Sequence, residues 1–114
     1  MPRNVIDAVQ GTLDFMILKT LSWGEMHGYA IANWIKDASE DELQIEEGTL
    51  YPALHRLEHK GLIEAEWGYS DNNRRAKFYS LTATGKKELR VRTEDWARYV
   101  RAVERVLTLK PGSV

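Results

Sequence analysis

Three short stretches of helical apolar spacing, an alternating segment folded about a Gly/Asn-rich turn and a long closing amphipathic stretch predict a mainly α fold with one β-hairpin. The first helix covers about residues 10–22, where Leu13, Ile17 and Leu21 recur every fourth position, and Trp23-Gly24-Glu25 breaks it. A second helix runs from about Gly28 to Ala38 on the stripe Ile31, Trp34 and Ile35, with polar Ser39 to Glu42 ending it. His27-Gly28 reads as its entry and Tyr29 as core packing. Residues 43–46 are a short connector.

The third helix carries a proline. Proline lacks an N–H and is tolerated in a first turn, so Pro52 predicts a start near Gly48 to Tyr51, with Thr49 or Gly48 as N-cap and Gly61 as the stop. Leu50, Leu54 and Leu57 share one face, which is the buried one. The opposite side carries Pro52, His55 and His59, flanked by Thr49, Tyr51 and Arg56.

After Gly61 the period becomes two. Ile63, Ala65 and Trp67 face one way and Glu64 and Glu66 the other, and after the turn Gly68 to Asn73 a second strand alternates over residues 77–81. The polar tip of this hairpin is edged by Arg74, Arg75 and Lys77. Thr82 then caps a last helix running to about Leu109, ended by Pro111-Gly112. Its apolar face (Leu89, Trp96, Val100, Val103, Leu107) extends further than a small domain can cover, so this face is expected to pair two copies of the chain. Glu88 with Arg92, and Glu94 with Arg98, are spaced to support its solvent side.

Composition narrows the function classes. At 114 residues and 43% hydrophobic content the chain suits one compact domain with a protruding element. Cysteine is absent, which excludes disulfides and thiolate metal sites. The first residues show no apolar signal region, and the longest large-apolar run, Phe15 to Leu18, is far too short for a membrane span, so a cytoplasmic protein is expected. The net charge of −1 hides an asymmetry: residues 37–66 hold nine acids against two bases, while residues 67–110 hold eleven Lys/Arg against five acids. The later part of the chain therefore suits an anionic partner.

Three helices, a hairpin and a further helix are ordered as in a winged helix-turn-helix, whose third helix enters a DNA major groove. The expected division is a winged helix-turn-helix DNA-binding domain over 1–82, a C-terminal dimerisation helix over 83–110 and a tail over 111–114. His27-Gly-Tyr29, the run Gly48-Thr-Leu-Tyr-Pro-Ala-Leu-His-Arg-Leu-Glu58, Gly61-Leu-Ile63 and Tyr79-Ser-Leu-Thr-Ala-Thr-Gly85 closely resemble the PadR family of bacterial transcriptional regulators, in order over about residues 10–90. The segment Glu66 to Tyr79 is similar to the wing of some members, and the single C-terminal helix to that of the small members.

The resemblance implies a homodimeric regulator, without cofactor or enzymatic activity, that acts as a repressor on a double-stranded palindromic operator. Thr49, Tyr51, Pro52, His55 and Arg56 are the expected base-reading face, with Arg56 at a phosphate or guanine edge; Arg74, Arg75 and Lys77 are the expected backbone clamp. The resemblance also implies a small aromatic effector near the dimer helices, where Trp96 is the candidate contact. Two other readings compete. The acidic segment 37–47 beside the third helix fits a winged helix that binds protein instead of DNA. His55-Arg-Leu-Glu-His59 has the spacing of a zinc peptidase helix, but such a site needs a third ligand and a cleft, and Glu58 lies off the histidine face.

Overall fold

Residues 10–112 are described by the computed structural model. Leucine and isoleucine at helical spacing build the centre. Helix α1 (Gln10–Leu21) buries Leu13, Ile17, Leu18 and Leu21 on one broad face of about 140°. It is the central helix, touching α2 (Gly28–Ala38), α3 (Glu47–His59), the sheet and the long α4 (Ala83–Thr108). Ile31 and Ile35 of α2, and Leu50, Ala53, Leu54 and Leu57 of α3, close the core over it.

The sheet has three strands, not two. The hairpin strands β2 (Ile63–Tyr69) and β3 (Arg75–Leu81) pair antiparallel, Ile63 opposite Leu81 and Tyr69 opposite Arg75. A two-residue strand β1 (Met26–His27) adds to the other edge of β3, in the order β1-β3-β2. Ile63 and Tyr79 complete the core from the sheet. Burial pushes the Tyr79 phenol above its ordinary value, with Glu58 and then Tyr51 adding to the shift. A phenol held neutral in this way stabilises the fold until the pH rises past about 10, where the unfolded chain begins to ionise first.

Several local expectations are corrected. Tyr29 is exposed, because it lies two residues (about 200°) from Ile31 on α2 and stacks outward on His27. The His27 imidazole is more than an entry, since its Nδ1 accepts from Ala30 N–H and caps α2. Trp34 stands half out of the stripe that Ile31 and Ile35 bury.

Helix α3 begins at Glu47, with Glu46 as its N-cap and no side-chain cap bond, rather than at a Thr49 or Gly48 cap. Pro52 is therefore in the second turn, and the Gly48 carbonyl has no N–H at the next turn to accept from. Burial of Leu50 and Leu54 on either side of the proline offsets that loss.

The end of α3 falls at the expected stop, Gly61. Gly61 takes φ +74°, Gly61 N–H donates to Glu58 and Leu62 N–H to Leu57, and the buried Leu62 carries the chain into β2. Thr82 joins this stop to α4: its hydroxyl donates to the Gly61 carbonyl at 2.7 Å and accepts from Gly85 N–H at 3.0 Å, and its own N–H donates to Leu62 O. A Cβ at Gly85 would overlap the Leu62 carbonyl, so the junction packs backbone on backbone.

Helix α4 is 26 residues, about 39 Å. It ends at Thr108 with Leu109 as its C-cap, at the expected end near Leu109. Glu88 and Arg92 pair at 3.2 Å, whereas Arg98 reaches Asp95 rather than Glu94.

One ion pair crosses the core. The Asp14 carboxylate of α1 is buried and accepts from the Arg56 guanidinium of α3 at 3.0 Å. Removing Arg56 leaves a buried carboxylate without its cation. Arg56→Ala is expected to lower stability by about 2 kcal/mol, less than for a fully buried pair because the arginine is partly exposed. The double variant Asp14→Leu with Arg56→Met should regain most of it. Urea unfolding of the two variants checks this, and a double variant weaker than the single would show that the pair itself holds the helices.

Candidate nucleic-acid interface

Because one side of α3 is committed to Leu50, Ala53, Leu54 and Leu57, its other side is fixed outward. Gly48, Tyr51, Pro52, His55 and His59 are exposed there, and Thr49 is half-buried at the margin. Nothing stands within 4 Å of where a Gly48 side chain would be. The Tyr51 ring is anchored: it lies 3.0–3.2 Å from the position a Cβ would take at Gly28, so that glycine admits the tyrosine against the start of α2. Gly28 and Gly48 were not among the expected site residues; the only sequence signal for either is a glycine at a helix start.

The cations divide into two sets. Arg56, expected on the reading face, turns back onto Asp14. Lys77 is half-buried, with its ammonium 3.6 Å from the Glu58 carboxylate and 5.9 Å from the Tyr79 ring. Arg74 and Arg75 are exposed, and among the described residues neither forms an ion pair with a carboxylate. They follow a tight tip in which Ser70 N–H donates to Arg74 O, Asn73 N–H donates to Ser70 O, and Asn73 takes φ +58°. The hairpin cations without a carboxylate partner thus sit at its tip. Such an arrangement can contact phosphates beside a helix whose small and ring-bearing face allows close approach to a groove.

His55 and His59 are exposed, Glu58 is drawn to Lys77, and among the described residues no group of three or more His, Asp or Glu could hold a metal ion.

On α4 the expected pairing residues separate. Leu89 is half-buried against the domain core, whereas Trp96, Val103 and Leu107 are exposed, and Val100 is half-buried. Tyr99 and Val106 are also exposed and were not anticipated. Trp96 sits between the rings of Phe15, at 6.3 Å, and Tyr99, at 6.0 Å. These three rings and Arg92 line a cavity of about 370 Å³ between α1 and α4. No helix among the described residues is long and apolar enough to cross a membrane.

Comparison with known proteins agrees with this architecture. Residues 17–91 match the transcriptional regulator PadR-like family. A protein from Lysinibacillus sphaericus is 35% identical over 91 residues, covering 80% of this chain and 84% of that one. The negative transcriptional regulator PadR of Bacillus subtilis is 31% identical over 84 residues, covering 74% of this chain and 44% of that longer one. A transcriptional regulator from Clostridium thermocellum superposes with a TM-score of 0.80 at 30% identity, over 91% of this chain and 99% of that one. A PadR family regulator from Eggerthella lenta does so at 0.79 and 30%, over 93% and 90%. The chain belongs to the PadR-like family of winged-helix transcriptional regulators, DNA-binding proteins rather than enzymes.

Proposed function

We propose that this chain is a cytoplasmic repressor that binds a palindromic operator as a homodimer. The observation that carries the DNA-contact assignment is the pairing of cations: Arg56 and Lys77 are neutralised within the domain, while Arg74 and Arg75 stand free at the hairpin tip beside the exposed face of α3. Tyr51, Pro52 and His55 read the major groove, with Thr49 at the edge of that face. Arg74 and Arg75 clamp the backbone, and Lys77 and Arg56 hold the two elements in place. The repressor assignment draws on the Bacillus subtilis relative, a negative regulator.

Dimerisation rests on α4, whose exposed Trp96, Tyr99, Val103, Val106 and Leu107 would be costly to leave in water. A two-fold pair presents two α3 helices to half-sites about one helical turn apart. The cavity beside Trp96 accepts a flat aromatic effector, since ligand sites are apolar, lined by aromatics and about 300–1,000 Å³ in volume.

Selection of bound duplexes from a random pool, followed by salt titration, tests the reading. It should return a palindrome whose affinity falls steeply with added salt. An asymmetric site, or binding indifferent to salt, contradicts it.

Four outcomes follow from the separate parts. Arg74→Ala should flatten the log–log salt slope by up to about one unit and weaken all sequences alike. Tyr51→Ala or His55→Ala should instead cost about 1–3 kcal/mol at one or two base positions, read by repeating the selection. Val103→Asp with Leu107→Asp should sediment as a monomer and bind the palindrome weakly; a stable dimer would refute the assignment of α4. For the effector, phenolic acids and planar cationic dyes should quench the wild type more than Trp96→Phe and shift its operator affinity, and quenching equal in both proteins would leave Trp96 a packing residue.

A further inference from the structure

Trp67 is unexplained by packing. It lies on the hairpin face that further down supplies Ile63 and Tyr79 to the core, and Lys77 opposite it still reaches Glu58 of α3, yet the indole is 58% exposed. Large aromatic side chains bury well and are costly to display. The contact it makes is with an arginine: the Arg75 guanidinium carbon lies over the indole, 4.6 Å from the ring centroid. Arg75 stands opposite Tyr69 and therefore diagonal to Trp67 across the strands, a separation that long side chains span.

This contact differs in kind from those of the neighbouring cations. Lys77 meets a carboxylate, which cancels its charge. An indole attracts a cation through its quadrupole and cancels nothing, so the stacked guanidinium keeps its full charge and its in-plane N–H donors. The stack also restricts a side chain that would otherwise sample many rotamers, and loss of that freedom beforehand strengthens a later contact.

We propose that Trp67 is a positioning residue for DNA binding: its indole is a platform that holds Arg75 extended along the hairpin, with its charge intact, for a backbone phosphate. The inference rests on the reading of the hairpin as a DNA contact and adds to it the residue that orients the contact. Trp67 acts through Arg75 and makes no bond to the DNA itself.

A double-variant cycle tests it, with a fluorescein-labelled mixed-sequence DNA duplex as the probe and anisotropy as the readout. Arg75→Ala should weaken binding and flatten the salt slope by up to about one unit. Trp67→Ala should weaken binding by about two- to fivefold while leaving the slope unchanged, because the arginine remains. In the Arg75→Ala background Trp67→Ala should have no further effect. Trp67→Phe should restore most of the affinity and Trp67→Leu should not, since only the former offers a π face. Thermal melting of each variant separates these effects from damage to the fold, which an exposed site should not suffer. If Trp67→Ala costs as much without Arg75 as with it, the indole contacts DNA directly and the platform is overturned. If Trp67→Ala costs nothing while Arg75→Ala does, the platform fails and the hairpin contact stands. Should Arg75→Ala leave both affinity and slope unchanged, the hairpin is no DNA contact and the proposal falls with it.

Discussion

The orientation of α3 depends on a buried carboxylate. Among the described residues, Asp14 sits in the most buried helix, and the one charged partner within its reach is Arg56 at 3.0 Å. A charge at that depth is tolerable only when paired and hydrogen-bonded, so rotation of α3 away from α1 would expose a large penalty. Apolar packing of Leu50, Leu54 and Leu57 attracts the two helices without direction; the ion pair adds direction. The Tyr51 ring against Gly28 provides a second fixed point, on α2. Between them these contacts determine which residues of α3 point outward.

The same logic sorts the other charges. A chain of net charge −1 has no overall field to attract an anion, so local arrangement must do so. Acids at the end of α2 are exposed, with Lys36 reaching Asp41 at 3.8 Å, whereas Glu58 near the end of α3 is matched by Lys77. Of the hairpin's cations, those left without a counter-ion are Arg74 and Arg75 at its tip. A strand pair that carries two free arginines outward, and a paired lysine inward, separates the work of binding from that of holding shape.

Much of this was legible in the sequence. Periods of four and two placed every helix of the described residues and both hairpin strands, since core burial imposes those periods directly. Strand β1 was not legible, because two residues carry no period and only the edge of β3 makes Met26-His27 extended. Pro52 misplaced the start of α3: the rule for first turns assumes that nothing compensates a proline further in, and here Leu50 and Leu54 do. The fates of Arg56 and Trp67 lay beyond local pattern altogether. Asp14 is 42 residues from Arg56, and a tryptophan in phase with a buried stripe looks like core until the fold shows it exposed.

The junction at Thr82 makes α4 a lever. Its first turn is bonded to the carbonyls of Gly61 and Leu62, at the stop of α3, with Gly85 packed so close that no side chain intervenes. Beyond Leu89 the helix carries mostly exposed residues, and its far end stands about 39 Å from this fulcrum. A tilt of about one degree there sweeps the far end through roughly 0.7 Å, as follows from a rod of that length. The glycine and threonine of one short joint thereby fix the direction in which the long helix leaves the short helix that faces the groove.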